Sequence, residues 1–111
     1  AAGFSQSRIQ CGPISIDLGA KSVAVADREL ELTALEFNVL EVLMLRAGNV
    51  LSKSELTEHL YEDDNERDSN VLEVIIGRLR KKLDPSRELN PIETIRGQGY
   101  RLRLPRVRDD A

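Results

Sequence analysis

Between Ile9 and Leu32, apolar and polar residues alternate in short runs broken by turn residues. Ile14, Ile16 and Leu18 fall on one side of a strand, Gly19 and Ala20 turn the chain, and Val23 and Val25 make a second strand. Ala26-Asp27 then forms a tight turn before Leu30 and Leu32. Strand side chains point alternately to the two faces of a sheet, so this pattern predicts a small antiparallel meander with one buried face. Pro13 stands where a strand begins or lies at an edge, where its missing amide hydrogen costs no ladder bond.

At Thr33 the period changes from two to that of a helix. Thr33 as N-cap, Glu36 three residues on and Leu32 set against Phe37 make a capping box with a hydrophobic staple. The predicted helix starts at about Ala34, buries Phe37, Leu40, Leu43, Met44 and Ala47, and ends at Gly48-Asn49. Ser52, Glu55, Leu51 and Leu56 repeat the device and predict a second helix from Lys53 to about Leu60. A polar loop, Tyr61 to Arg67, precedes a third helix capped by Asp68 or Ser69 and stopped near Leu83 by Asp84-Pro85.

Alternation returns in Ile92 to Arg96 and Tyr100 to Leu104, separated by Gly97-Gln98-Gly99, which reads as a hairpin. Strands, three helices and a hairpin in that order predict an α+β domain, a helix-turn-helix with a hairpin wing, over residues 11–105. Residues 1–10 are small and polar without an apolar block, so they read as linker rather than a secretory signal. Residues 106–111 read as a flexible tail.

Composition narrows what such a domain does. With 41% apolar and 32% charged residues in a chain of 111, it matches a soluble single domain with one modest core. No apolar stretch nears the roughly 18 residues that cross a bilayer, so no membrane partner is expected. One cysteine, Cys11, and one histidine provide neither an internal disulfide nor a zinc set; a cytoplasmic protein with no metal and no cofactor is the expectation, with Cys11 half buried in a strand. The net charge of −3 argues at first against nucleic acid, but its distribution reverses that. Residues 1–66 carry 5 basic and 12 acidic side chains, while residues 67–111 carry 11 basic and 7 acidic. Such asymmetry marks a nucleic-acid face unless it is merely a solvated charge run.

Position decides between these. At about 100° per residue, Leu72, Ile75, Ile76, Leu79 and Leu83 gather on one face of the third helix. Asn70, Glu73, Val74, Gly77, Arg78 and Lys81 gather opposite, with Arg80 and Lys82 on the flanks. Any surface helix shows a charged outer face. This one is also basic toward its C-terminus, carries an amide suited to a base edge at Asn70, and presents Val74 where a thymine methyl fits. Gly77 costs about 1 kcal/mol relative to Ala in mid-helix, which suggests a close approach of backbone to a partner or to another helix. Arg96, just before the glycines of the hairpin, carries a cation on a thin tip able to enter a minor groove, where A·T-rich stretches are strongly negative. Alone it would be a solvated turn residue.

Three separated motifs now carry a family resemblance: Leu32-Thr33-x-x-Glu36-Phe37-x-x-Leu40; Asp68-Ser69-Asn70-Val71-x-Glu73-Val74 followed by Arg78-Leu79-Arg80-Lys81-Lys82-Leu83; and Thr94-Ile95-Arg96-Gly97-x-Gly99-Tyr100-Arg101. In that order, over about Gly12 to Leu104, they resemble the C-terminal effector domain of OmpR/PhoB-family response regulators, in particular the PhoP, QseB and PmrA branch. The resemblance implies a four-stranded N-terminal sheet, three helices and a C-terminal wing. It also implies binding to tandem repeats in promoter double-stranded DNA, head to tail, as the output of a two-component phosphorelay. The DNA contacts it implies fall on Asn70, Val74, Arg78, Arg80, Lys81, Thr94 and Arg96, with the helix in the major groove. The loop holding Tyr61, Glu62, Asp63, Asp64 and Glu66 is implied to touch RNA polymerase. Ile75 departs from members with a polar or histidine side chain there, which implies one phosphate contact fewer. The receiver domain that holds the phosphorylated aspartate lies outside this stretch, and neither Asp17 nor Asp27 is that site.

An enzyme is disfavoured because no nucleophile is set beside a base and the Gly97-x-Gly99 pair leads into a strand rather than a helix. A protein-interaction module stays open, since a winged helix is able to keep its fold without binding DNA. The DNA reading requires that Arg78 and Arg96 not lie on opposite surfaces of the domain.

Overall fold

The computed structural model describes residues 8–60 and 71–107. Among these, four strands come first: β1 (Arg8–Cys11), β2 (Ile14–Asp17), β3 (Ser22–Val25) and β4 (Arg28–Leu30). They form one antiparallel meander in sequence order. Ile9, Ile16, Val23 and Leu30 stand in one cross-strand row, and Cys11, Ile14 and Val25 in another. Both rows point inward, and all but Leu30 are buried. The expected Ala26-Asp27 turn is present with both residues at positive φ, 51° and 70°, the twist that suits a two-residue hairpin.

The pattern alone shows three of these strands; β1 is the addition. It begins at Arg8, inside the stretch read as linker, and buries Ile9 and Cys11, the latter completely rather than by half. Besides its ladder with β2, it meets residues near position 106. Val107 N donates to Gln10 O at 2.7 Å, and Arg106 forms a bridge with Cys11. Arg106 and Val107, expected to open a flexible tail, instead satisfy backbone groups along the edge of β1, and residues 108–111 lie outside the described residues.

Three helices follow: α1 (Ala34–Leu45), α2 (Lys53–Leu60) and α3 (Val71–Leu83). Both capping boxes close. Glu36 N donates to Thr33 Oγ1 at 3.2 Å and Thr33 N to Glu36 Oε1 at 3.0 Å. Glu55 N donates to Ser52 Oγ at 3.1 Å and Ser52 N to Glu55 Oε1 at 2.9 Å. The stripe on α1 is wider than expected. Val39 and Val42 are buried with Phe37, Leu40, Leu43 and Met44, because α1 is packed on one side by β1 and on others by α2, α3 and the final strand. A helix surrounded in this way is apolar nearly all round.

The chain ends in a hairpin of β5 (Ile92–Ile95) and β6 (Gly99–Leu102), paired Ile92↔Leu102 and Ile95↔Gly99. Residues 85–90 before it are folded around one carboxylate. Asp84 accepts from the backbone N–H groups of Glu88, Leu89 and Asn90 at 2.8 to 3.1 Å. The hydrogen bond from Asn90, with those from Leu89 and Glu88, outweighs burial and holds the Asp84 carboxyl below its ordinary pKa. The expected caps Asp68 and Ser69, the loop Tyr61 to Arg67, and Asn70 lie outside the described residues. No described helix is long and apolar enough to cross a membrane.

Candidate nucleic-acid interface

Leu72, Ile75, Ile76, Leu79 and Leu83 of α3 are buried, as the wheel requires, and Ile75 belongs to the core rather than to the outer face. The face turned away from them holds Glu73, Val74, Gly77, Arg78 and Lys81, all exposed. Val74 is 47% accessible, so its methyl groups are open to a contact from outside. Arg78 and Lys81 hydrogen-bond to none of the described residues, so their cations are available to an external anion. Glu73 is the one acid on this face, and Lys53 at the start of α2 answers it across 3.2 Å.

Gly77 carries a further piece of information. A methyl group built on its α-carbon would meet nothing within 4 Å. Helix packing, one of the two reasons sequence offers for a mid-helix glycine, is thereby removed.

The wing borders the same face. A shallow groove is lined by Gly77, Arg80 and Lys81 of α3 together with Glu93 and Thr94 of β5. A second, beside it, joins Glu73 to Thr94, Arg96 and Ser52. Arg96 is exposed in the turn between β5 and β6 and bonds to none of the described residues. Arg78 sits about 100° further round the helix than Gly77, on the flank away from the wing. There its charge helps to lower the pKa of Glu36. Arg96 lines the second of these grooves, whereas Arg78 lines neither.

Two fixtures hold the wing, and neither has a local signal in the sequence. The first is backbone: Leu51 N donates to Tyr100 O at 2.8 Å, Tyr100 N to Leu51 O at 2.9 Å, and Gly48 N to Leu102 O at 2.9 Å. The connection between α1 and α2 therefore acts as a third strand beside β6. Gly99 makes this possible, since a β-carbon there would collide with the Leu51 carbonyl. The second is Arg80, which binds the wing rather than standing free. Its Nε and Nη2 donate to Ile92 O at 3.2 and 3.0 Å, and Nη2 donates to Thr94 Oγ1 at 2.7 Å.

Lys82, on the other flank, is likewise engaged. Its ammonium donates to Glu36 Oε1 at 2.7 Å and Glu31 O at 3.0 Å. Burial alone would raise the Glu36 carboxyl, but hydrogen bonds from Lys82 and the Thr33 backbone, with the charges of Lys82 and Arg78, hold it below the usual carboxylate range. Among the described residues no group of histidine, cysteine or carboxylate side chains is arranged to hold a metal ion.

Comparison with known proteins agrees with this architecture. The family described as "Transcriptional regulatory protein, C terminal" matches residues 27–102. Among curated proteins, the two-component response regulator PhoP of Pseudomonas aeruginosa is 48% identical over 100 residues, covering 90% of this chain and 44% of that protein. The cell cycle response regulator CtrA of Brucella ovis is 42% identical over 104 residues, covering 93% and 45%. The chain spans about half the length of the curated relatives it matches. Among solved structures, the Klebsiella pneumoniae RstA DNA-binding domain in complex with the RstA box has a TM-score of 0.74 and 29% identity, covering 86% of this chain and 96% of that one. The chain belongs to the family of transcriptional regulatory protein C-terminal domains, the winged helices of OmpR/PhoB-type response regulators.

Proposed function

We propose that this domain binds promoter DNA sequence-specifically and controls transcription as the output of a two-component response regulator. In this reading the recognition helix α3 lies in the major groove, with the residues just before it from 69 on, and Arg96 enters the adjoining minor groove. The observation that carries it is the exposed α3 face, where Val74, Arg78 and Lys81 are unclaimed by the fold and a firmly held wing borders the same side. That relatives are named as regulators, and that RstA and AdeR domains of the same fold were solved with DNA, supports it. The role is regulatory and not catalytic, in the cytoplasm.

Within it, Val74 and Asn70 meet base edges, while Arg78, Lys81 and Thr94 meet phosphates and Arg80 acts from the wing side through Thr94. The acidic loop at Tyr61, Glu62, Asp63, Asp64 and Glu66 offers a partner surface to RNA polymerase. Copies pair head to tail on tandem repeats, and a receiver domain elsewhere in the full-length protein governs them.

Titration of a labelled tandem-repeat duplex, followed by anisotropy at several salt concentrations, tests the reading. Affinity is expected to fall with salt at a slope of roughly −0.9 per phosphate neutralised, and to be lost in Arg78→Ala. A salt-insensitive signal, or none on any such repeat, overturns it in favour of a protein-interaction module.

A further inference from the structure

We propose that Arg80 is a positioning residue that ties the wing to the recognition helix, so that the two groove-facing elements move as one body, and that it fixes the Thr94 hydroxyl as a hydrogen-bond donor. The inference rests on the DNA-binding reading for its use, and on the geometry alone for the brace.

The guanidinium is planar, with its N–H groups in a fixed fork. Two of them, on Nε and Nη2, converge on the single carbonyl of Ile92, at 3.2 and 3.0 Å, which fixes the plane of the group relative to β5. A further bond from Nη2 reaches Thr94 Oγ1 at 2.7 Å. Arg80 therefore holds β5 at two positions, the second lying two residues before Arg96. The opposite edge of the hairpin is held through β6 by Leu51. Among the described residues, Arg80 supplies the hydrogen bonds that tie β5 to α3, beside the ladder with β6 and the packing of Ile92 into the core.

The Thr94 bond also has a direction. A guanidinium only donates, so the threonine oxygen must accept, and its own hydrogen is left for another acceptor. Thr94 is exposed beside the outward face of α3. Phosphodiester oxygens only accept, so a hydroxyl in this state is matched to DNA backbone and not to a second donor. A lysine at 80 would keep the charge but would lose the fork and the fixed plane.

The test compares Arg80→Lys and Thr94→Val, each with and without Arg96→Ala, in the 111-residue chain. In the free protein, residual dipolar couplings of amides in 92–102 relative to those in 71–83 report whether the hairpin keeps its orientation. Arg80→Lys is expected to change that orientation, and Thr94→Val to leave it largely intact. On the duplex, an Arg96→Ala loss of about tenfold in the parent is expected to shrink to about twofold beside Arg80→Lys, a coupling that lost stability alone would not produce. Thr94→Val is expected to weaken DNA binding severalfold. Unchanged couplings in Arg80→Lys overturn the brace, and additive losses overturn its use in binding. Parent-level affinity in Thr94→Val overturns the hydroxyl role. If no duplex binds the parent chain, the DNA reading fails, while the dipolar couplings still judge the brace.

Discussion

Lys82 Nζ lies 2.7 Å from Glu36 Oε1, and this contact joins the last turn of α3 to the cap of α1. The carboxylate is 1% exposed and the lysine side chain 37%, so the pair is buried at one end and wet at the other.

Removing the ammonium should be costly. Lys82→Met leaves a buried carboxylate with only its cap hydrogen bond, and a loss of about 2 kcal/mol is expected, less than for a fully buried pair because the lysine is partly solvated. The pH dependence gives the check. In the parent the Glu36 pKa is lowered, so its contribution is present above the ordinary carboxylate range and is lost as pH falls through the folded value. Lys82→Met removes the hydrogen bond and the charge of Lys82 while the opposing burial stays, so the pKa of Glu36 is expected to rise and the variant to recover as its carboxyl protonates. Urea unfolding should therefore show the gap between parent and variant narrowing from pH 7 toward about pH 4; a constant gap would count against the pair.

Gly77 allows stability and binding to be separated. Alanine at 77 meets open space and should stabilise the helix by up to about 1 kcal/mol. If DNA approaches the backbone there, the same substitution should weaken binding despite the higher melting temperature. Affinity that rises or stays level with stability would show that no partner uses the gap.

The wing glycines should not be equivalent. Gly97 has φ of 76° but open space around it, whereas a β-carbon on Gly99 collides with Leu51. Gly97→Ala should cost about 1 kcal/mol and Gly99→Ala about 3 kcal/mol or more, because the latter must break the link between wing and body. Thermal unfolding measures both, and equal losses would show that the Leu51 contact yields easily.

Arg96 should discriminate by groove shape. Arg96→Ala is expected to weaken binding most where the contacted stretch is A·T-rich, with little change in melting temperature. Equal losses on A·T and G·C variants of that stretch would make Arg96 only a phosphate anchor.

What sequence revealed and what it concealed follow from the range of each interaction. Thr33 with Glu36 and Ser52 with Glu55 are three residues apart, and both boxes formed as read. The buried side of α3 repeats at helical spacing and was equally legible. In contrast, β1 gains its place by pairing with β2 and with residues near position 106, and nothing local distinguishes Arg8 to Gln10 from linker. The Leu51 to Tyr100 bridge and the Arg80 to Thr94 bond join segments that no period connects. The flanking position of Arg80 on the wheel was correct, but only the fold showed that its charge is turned toward the wing.

Cys11 gives the chain a reporter of its own opening. It is the sole cysteine of the sequence, is fully enclosed between β1 and the end of α1, and burial pushes its thiol pKa up against the smaller opposing pull of Arg106. A thiol so enclosed is shut off from alkylating and oxidising reagents while the sheet stays closed. The rate at which such a reagent marks the native protein therefore acts as a clock for separation of β1 from the helical layer, readable by mass without adding any probe.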